Sequence, residues 1–332
     1  MKKLFAFVNT SNPCNSIYQQ TSFLVKRLEA IYSMQIPVLT DAELDSHLGK
    51  DDELILWPYE AFSVRLCKIR NYSNVVFIYH NITPARFFWT TEPLVGCKAL
   101  AGRLQLGLLR RTGKQWLAVS EYNLGELEKL GYNRPQLCYN QILPTEIRFR
   151  KSDEASIMFV GRIVQNKRCL EWLEMAKKVA DSRPDGLTCF IIGNGKKDTL
   201  YLKRFTEKAA ALQSEKLRIR HTPALTQEEL AEIYQRAWLY VSLSEHEGFG
   251  LPVCEAINND TPAIYTACGG QEQLLRNNGL TTAENIADKT AHLLEDAGAR
   301  QELLQAQKQI VRQFTIPAAD THIKQLFDRL IL

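Results

Sequence analysis

The sequence lacks the features that mark several classes of protein. Its eight cysteines are scattered and include no C-x-x-C pair, which argues against a zinc site and against a secreted disulfide scaffold. No apolar run approaches the roughly 18 residues needed to span a bilayer. A net charge of only +4 does not by itself imply a nucleic-acid partner. We therefore expect a cytoplasmic protein with free thiols and no nucleic-acid ligand.

Two ligand-binding motifs are also absent. Gly193-Asn194-Gly195 follows an apolar run but does not extend to G-x-G-x-x-G, so a nicotinamide cofactor is not indicated. This turn either closes a connection between strand and helix or contacts a nucleotide. No D-x-D element, a common metal-binding motif, occurs anywhere in the chain.

What is present is a regular alternation of short apolar runs with longer amphipathic stretches. Strands are predicted at 4–8, 54–57, 75–79, 116–119, 156–160, 189–192, 217–220, 239–243 and 262–265. Helices are predicted between them, for example at 20–32, 124–130, 170–180, 203–213 and 228–236. This alternation is typical of doubly wound parallel sheets, in which ligands bind at the carboxyl ends of the strands.

The 332 residues suit two domains of ordinary size. The pattern breaks into polar residues near 151–154 before a strand restarts at Ser156. We therefore place a first domain at 1–150 and a second at 151–314, followed by a C-terminal amphipathic helix within 315–332.

The most informative segment is 244–256, in which two carboxylates flank a glycine-bracketed turn. The string E-G-F-G-L-P-V-C-E runs from Glu247 to Glu255, after a predicted strand. Pro252 suits the first turn of a helix. Free N–H groups at a helix start favour an anionic or hydroxyl-rich ligand, and the carboxylates would accept hydrogen bonds from hydroxyls. The alternative is a turn with two solvated acids.

Two further segments place polar side chains at strand ends. Gly161 ends the strand 156–160, and Arg162 and Lys167 lie on the loop that follows. A forked donor from arginine and a point charge from lysine suit a diphosphate, although two solvated cations are the alternative. His80 ends the strand 75–79, either as a cleft residue or as a hydrogen-bonded turn histidine.

Taken together, E-G-F-G-L-P-x-x-E, G-R-x-x-x-x-K and the strand-end His80 resemble the retaining, nucleotide-sugar-dependent glycosyltransferases of family 4. The resemblance implies the GT-B fold, in which two Rossmann-like domains face a cleft. It also implies a nucleotide-diphosphate sugar as donor, with no cofactor and no metal. The catalytic residues it implies are His80, Arg162, Lys167 and Glu247. The donor-binding residues it implies are Gly161, Arg162, Lys167, Gly193, Glu247, Gly248, Phe249, Gly250, Leu251 and Glu255.

The resemblance also assigns roles to these residues. Arg162 and Lys167 would neutralise the departing diphosphate, which is usually the largest catalytic contribution. Glu247 and the amides of 248–251 would hold sugar hydroxyls and phosphate, and Glu255 would hold the ribose. His80 would lie against the donor sugar near the reacting carbon and help to position and polarise it. Because front-face attack lets the departing phosphate accept the proton, no glycosidase-like carboxylate pair is required. The C-terminal helix often crosses back to the first domain in such proteins.

The string H-N-I-T-P from His80 resembles bacterial enzymes that build surface polysaccharides. It implies a hexosyltransferase whose acceptor is a glycan or a lipid-linked glycan, as in O-antigen-type biosynthesis. The sequence leaves two alternative functions open. One is a sugar-nucleotide epimerase of GT-B fold, which would turn over donor without acceptor. The other is a non-catalytic GT-B subunit that binds nucleotide or a partner.

The chain departs from the family pattern at several positions. The first loop, 10–16, has small polar residues where two glycines are usual. Arg168 replaces the glycine after Lys167, Gln141 replaces a glycine after Asn140, and Pro223 stands where a glycine often lines the base pocket. The acid usual after Gly269-Gly270 corresponds to Glu272 or to Gln273. These changes put closure over the donor and base recognition in question.

The segment 97–114 carries five cations and no acid, together with several leucines. A basic amphipathic helix can lie on anionic lipid, which would suit a lipid-linked acceptor at the inner face of the membrane. The alternative is a helix packed on the first sheet with a solvated basic face.

Overall fold

A computed structural model describes residues 2–8, 16–69, 72–143, 145–197, 199–316 and 318–331. The predicted first loop therefore lies outside the described residues, apart from Ser16. The chain divides into two compact units. Unit 1 comprises Met1–Arg86, Leu94–Leu143 and Gln313–Leu332, and unit 2 comprises Phe87–Pro93 and Pro144–Arg312.

Unit 1 is built on a parallel sheet with six strands among the described residues. They are β1 (Lys3–Phe7), β2 (Val38–Leu39), β3 (Glu53–Tyr59), β4 (Val75–Tyr79), β5 (Trp116–Ala118) and β6 (Gln136–Leu137). Their order is β2-β1-β3-β4-β5-β6. Every residue of β3 and β4 is buried, which is why these strands read as continuous apolar runs.

Helices cover the sheet of unit 1. They are α1 (Ser16–Tyr32), α2 (Asp41–His47), α3 (Leu66–Ile69), α4 (Pro93–Leu109), α5 (Glu121–Lys129) and, from the end of the chain, α13 (Ala318–Ile331). α13 packs on α1, where Arg27 donates to both carboxylate oxygens of Asp320. Leu326 and Phe327 of α13 join the same apolar core as Leu28 of α1. The C-terminal helix is therefore part of unit 1.

Unit 2 contains a second parallel sheet, again with six described strands. They are β7 (Ser156–Val160), β8 (Leu187–Ile192), β9 (Leu217–Thr222), β10 (Leu239–Ser242), β11 (Ala263–Thr266) and β12 (Leu280–Thr281). Their order is β12-β11-β10-β7-β8-β9. This is the Rossmann order, and its direction reverses between β7 and β10, where ligands of such sheets bind.

The helices of unit 2 are amphipathic and pack on its sheet. They are α6 (Cys169–Asp181), α7 (Leu200–Leu212), α8 (Gln227–Arg236), α9 (Leu251–Asn258), α10 (Gly270–Leu274), α11 (Ile286–Glu295) and α12 (Ala297–Val311). In α6 the buried residues Trp172, Ala176 and Val179 recur at helical spacing. The indole of Trp172 donates to the carbonyl of Val241 at 2.9 Å, which fixes α6 behind β10.

The predicted α/β class with doubly wound parallel sheets is confirmed. Strands 75–79 and 156–160 have the predicted bounds, whereas the two-residue strands β2, β6 and β12 escaped prediction. Each lies at a sheet edge and is too short to show a period. No helix within the described ranges is both long and apolar enough to cross a membrane.

Candidate active site

The candidate site of unit 2 lies between β7 and β10, where the strand order of the sheet reverses. The loop after β7 carries Gly161 to Lys167, and the loop after β10 carries Glu245 to Gly250. Because β7 and β10 are hydrogen-bonded neighbours in parallel register, their carboxyl ends lie side by side. The two motifs singled out in the sequence therefore meet at one edge of the sheet.

The two loops are joined by a direct ion pair. The ammonium of Lys167 contacts the carboxylate of Glu247, and both side chains are largely buried. Backbone contacts hold the loops in register: the amide of Glu245 donates to the carbonyl of Asn166 at 2.8 Å, and the Asn166 side chain donates to the carbonyl of His246 at 3.4 Å. The pair thus rests on a fixed loop-to-loop scaffold.

Glu247 is also fixed on its other side by the turn that follows β11. Its amide donates to the carbonyl of Cys268 at 3.0 Å, and its carbonyl accepts from the amide of Gly270 at 2.9 Å. A side chain at Gly270 would approach the Gly248 carbonyl carbon to 2.6 Å. Gly270 is therefore required for this close approach of backbone to backbone.

Gly193 makes a similar approach between the ends of β7 and β8. It has a φ of 142°, and a β-carbon there would lie only 1.9 Å from the carbonyl oxygen of Gly161. The amide of Gly161 in turn donates to the carbonyl of Ile192 at 2.9 Å. The glycines thus keep the edge beside Lys167 free of side chains.

The N-terminus of α9 opens onto the same edge. Gly250 precedes the helix with a φ of 95°, and Leu251 and Pro252 form its first residues. The amides of Val253 and Cys254 are directed at the Gly250 carbonyl, at 3.1 and 3.3 Å. Phe249 is buried beneath the turn. The helix dipole and the preceding amides favour negative charge at this point.

Glu255 lies one turn into α9 and accepts a hydrogen bond from the hydroxyl of Tyr234 at 3.0 Å. Burial raises the pKa of Glu255 to about 7, while the bond from Tyr234 opposes the shift. Burial, followed by the charges of Glu247 and Glu255, raises the pKa of Tyr240 on β10. Both carboxylates of the motif therefore act on one buried phenol.

The two cations after β7 differ in their surroundings. Lys167 forms an ion pair with Glu247, whereas Arg162 is exposed and has no ion pair among the described residues. Arg168 has left-handed backbone with a φ of 51°, which explains why a glycine would suit the position. Its guanidinium lies 3.5 Å from Glu171 and 3.6 Å from Glu245.

Residues 145–313 match the family described as glycosyl transferases group 1, and this match covers half of the chain. The chain belongs to this family. It is also 25% identical over 272 residues to the sulfoquinovosyl transferase of Arabidopsis thaliana, a match that covers 75% of this chain and 51% of that protein. This group 1 chain thus spans about half the length of that relative.

Solved structures confirm the GT-B fold of this group 1 family member. Sucrose-phosphate synthase from Thermosynechococcus elongatus aligns with a TM-score of 0.77 at 15% identity, covering 99% of each chain. HepE of Anabaena, solved with UDP-glucose, aligns with a TM-score of 0.70 at 15% identity, covering 98% of this chain and 99% of its own.

In unit 1, His80 follows β4 and lines a pocket with Thr21, Asn140 and Gln141. Its Nε2 is buried and has no hydrogen-bond partner among the described residues. Burial lowers the pKa of His80 to about 4, so the imidazole is neutral at pH 7. The side chains of Thr21 and Gln141 also have buried polar atoms without described partners.

Several residues of the site carry no sequence signal. Asn166 links the two loops, Tyr234 holds Glu255, and the buried Gln271 packs against Gly250. Asn166 occupies a variable position of G-R-x-x-x-x-K, and Tyr234 and Gln271 lie outside the motifs, so only the folded chain brings the three residues to the site. Glu272, which was one candidate for the family's acid, lies in the first turn of α10.

Proposed function

We propose that the chain is a retaining, metal-independent hexosyltransferase of family 4. It would move a sugar from a nucleotide-diphosphate sugar to a hydroxyl of a glycan or lipid-linked glycan, as in polysaccharide or O-antigen-type biosynthesis. The observation that carries the proposal is the Lys167–Glu247 pair at the switch point of the Rossmann sheet in a group 1 domain. A sheet of this order binds nucleotides at that point.

The residues around the pair suit the parts of such a donor. The exposed guanidinium of Arg162 is available for bidentate contact with a diphosphate. The turn at 248–251 leads into the N-terminus of α9, which favours the same anion. We assign Glu255 to the ribose hydroxyls and Glu247 to the sugar hydroxyls, since carboxylate oxygens accept hydrogen bonds from both.

The proposed transfer is balanced without a protein nucleophile. The acceptor oxygen bonds to the anomeric carbon on the face from which the diphosphate departs, and the carbon–oxygen bond to phosphate breaks. The proton of the acceptor hydroxyl passes to the departing phosphate. Arg162 and Lys167 stabilise the charge that develops on the leaving group. His80, neutral because of its burial, would position a ligand in the pocket of unit 1.

The test is a transfer assay with UDP-, GDP- and ADP-sugars, starting with UDP-glucose because HepE was solved with that ligand. Release of nucleoside diphosphate that requires an acceptor alcohol, resists EDTA and yields product with the donor's anomeric configuration by NMR supports the proposal. Turnover of donor without acceptor indicates an epimerase instead. Nucleotide binding without turnover on any acceptor indicates a non-catalytic subunit.

A further inference from the structure

Helix α4 of unit 1 exposes leucines along one face. Leu94 is 79% exposed, Leu104 is 64% exposed and Leu108 is 68% exposed, and Leu100 lies on the same line. Residues 100, 104 and 108 recur every four positions, so they form one continuous stripe. An exposed apolar stripe of this length on a soluble surface marks an interaction site.

The buried face of the same helix explains why the leucines cannot turn inward. Three of its six buried residues are small, namely Gly96, Ala99 and Gly102. A side chain at Gly102 would approach the backbone nitrogen of Phe62 to 2.9 Å, so the loop after β3 lies directly on the helix. Because the helix is apolar on both faces, its outer face needs a second apolar environment.

The loop after β3 extends the exposed apolar surface. Gln105 of α4 accepts from the amide of Ser63 at 3.0 Å and donates to its carbonyl at 2.8 Å. This clamp fixes the two neighbours of Ser63 beside the helix, where Val64 is 73% exposed and Phe62 is also exposed. The leucine stripe of α4 together with Phe62 and Val64 is called here the α4 surface.

The charge along α4 and the turn that follows it has one sign. No aspartate or glutamate occurs between Pro93 and Ser120. Of the five cations there, Arg103 is engaged by Glu126 and the carbonyl of Ile82, and Lys114 by the carbonyl of Tyr72. The exposed cations that remain are Lys98, Arg111 and Arg110, of which Arg110 donates to the carbonyl of Leu130 at 2.8 Å. None of the three has an ion pair among the described residues. Leucines bordered by cations complement an anionic lipid surface.

We propose that the α4 surface docks unit 1 on the face of a bilayer that contains anionic phospholipid. The leucines, Phe62 and Val64 insert among the lipid chains, while Lys98, Arg110 and Arg111 meet the headgroups. The carbonyl of Ile82, two residues after His80, is held by Arg103 of α4. Docking would therefore bring the His80 pocket near lipid-linked acceptors, yet it does not depend on the transfer reaction.

The test is co-sedimentation of the full chain with vesicles, without donor or acceptor. Vesicles of phosphatidylglycerol and phosphatidylcholine are compared with vesicles of phosphatidylcholine alone. We expect binding to the anionic vesicles, lowered at least about fivefold by Leu104→Ser/Leu108→Ser. Lys98→Ala/Arg111→Ala should remove most of the preference for anionic lipid.

Matched controls come from α7 of unit 2, where Leu200 is 52% exposed beside the exposed cations Lys203 and Arg204. Leu200→Ser and Lys203→Ala/Arg204→Ala should leave vesicle binding unchanged. A nucleotide-induced rise in melting temperature, retained in the α4 variants, would show that they are folded and would report on the donor site separately.

Three outcomes would overturn the proposal. The first is absence of the native chain from the vesicle pellet, and the second is equal binding of native and Leu104→Ser/Leu108→Ser chains. The third is a dimer in solution that this double substitution dissociates, because the α4 surface would then join two copies of the chain.

Discussion

Lys167 and Glu247, 80 residues apart in the chain, form a direct ion pair at the carboxyl ends of β7 and β10. Each residue belongs to a separate loop, and the pair holds the two loops at one point. Because both side chains are largely withdrawn from water, salt screens their attraction less than that of surface pairs. The ammonium is thereby held at the switch point of the sheet, where we propose that the donor diphosphate binds.

Replacing Lys167 tests this placement. Lys167→Ala should lower the turnover number by about 100- to 1,000-fold, since it removes a charge that stabilises the departing diphosphate. Steady-state kinetics with saturating donor measure the change. Lys208→Ala is the control, because Lys208 pairs with Glu174 between α7 and α6. Equal turnover of Lys167→Ala and the native enzyme would refute the role.

Glu255 makes stability depend on pH. Burial raises its pKa from 4.5 to about 7, so between these values the folded chain retains a proton that the unfolded chain has released. The corresponding stabilisation is complete below pH 4.5 and is lost as pH rises to about 7. Glu255→Gln removes this dependence. Relative to the native chain, its free energy of unfolding should rise over this interval by up to about 3 kcal/mol.

Urea denaturation at several pH values measures that difference. Glu302→Gln, at an exposed position of α12, should follow the native chain at every pH. Parallel curves for Glu255→Gln and the native chain between pH 4.5 and 7.5 would contradict the assignment.

Gly193 should tolerate no side chain. Gly193→Ala places a β-carbon 1.9 Å from the Gly161 carbonyl oxygen and should lower the free energy of unfolding by at least about 2 kcal/mol. Gly125→Ala is the matched control, because Gly125 lies in α5 with no atom within 4 Å of the added carbon. It should be neutral or stabilise by up to about 1 kcal/mol. Similar stabilities for the two variants would disprove the close approach.

Substitutions at Arg168 test whether a residue other than glycine strains the backbone at this position, where the family usually has glycine. Arg168→Ala and Arg168→Gly both remove the contacts with Glu171 and Glu245, so they differ only in backbone freedom at a φ of 51°. The glycine variant should be more stable than the alanine variant by about 1 kcal/mol. Thermal melts of the pair measure this. An alanine variant as stable as the glycine variant would exclude backbone strain at this position.

The sequence was sufficient to predict strands whose residues are all or nearly all buried. β4 and β7 are runs of apolar residues bounded by polar turns, and their period and length identify them. The glycines at 161, 193 and 250 were also visible, since each ends or begins an element. The sequence does not show which side chains meet. Lys167 reaches Glu247 only because β7 and β10 are neighbours in the sheet, and the strand order is not visible in the local pattern.

Other features depend on packing that no local pattern records. The leucines of α4 were visible, but a helix that is apolar on both faces gives no sign of which face is buried. Likewise, residues 87–93 belong to unit 2, where the hydroxyl of Thr90 donates to the side-chain carbonyl of Gln165 at 2.7 Å and Glu92 pairs with Lys196 at 3.3 Å. The roles of His80, Arg162, Lys167, Glu247 and Glu255 in transfer stay predictions.

Calorimetric titration with UDP, GDP and ADP tests the central claim most directly, using the native chain and Arg162→Ala/Lys167→Ala. The account predicts that one nucleoside diphosphate binds the native chain and binds the double variant at least about tenfold more weakly. Equal affinity for the two chains, or no binding of any of the three to the native chain, would contradict a diphosphate site at the ends of β7 and β10.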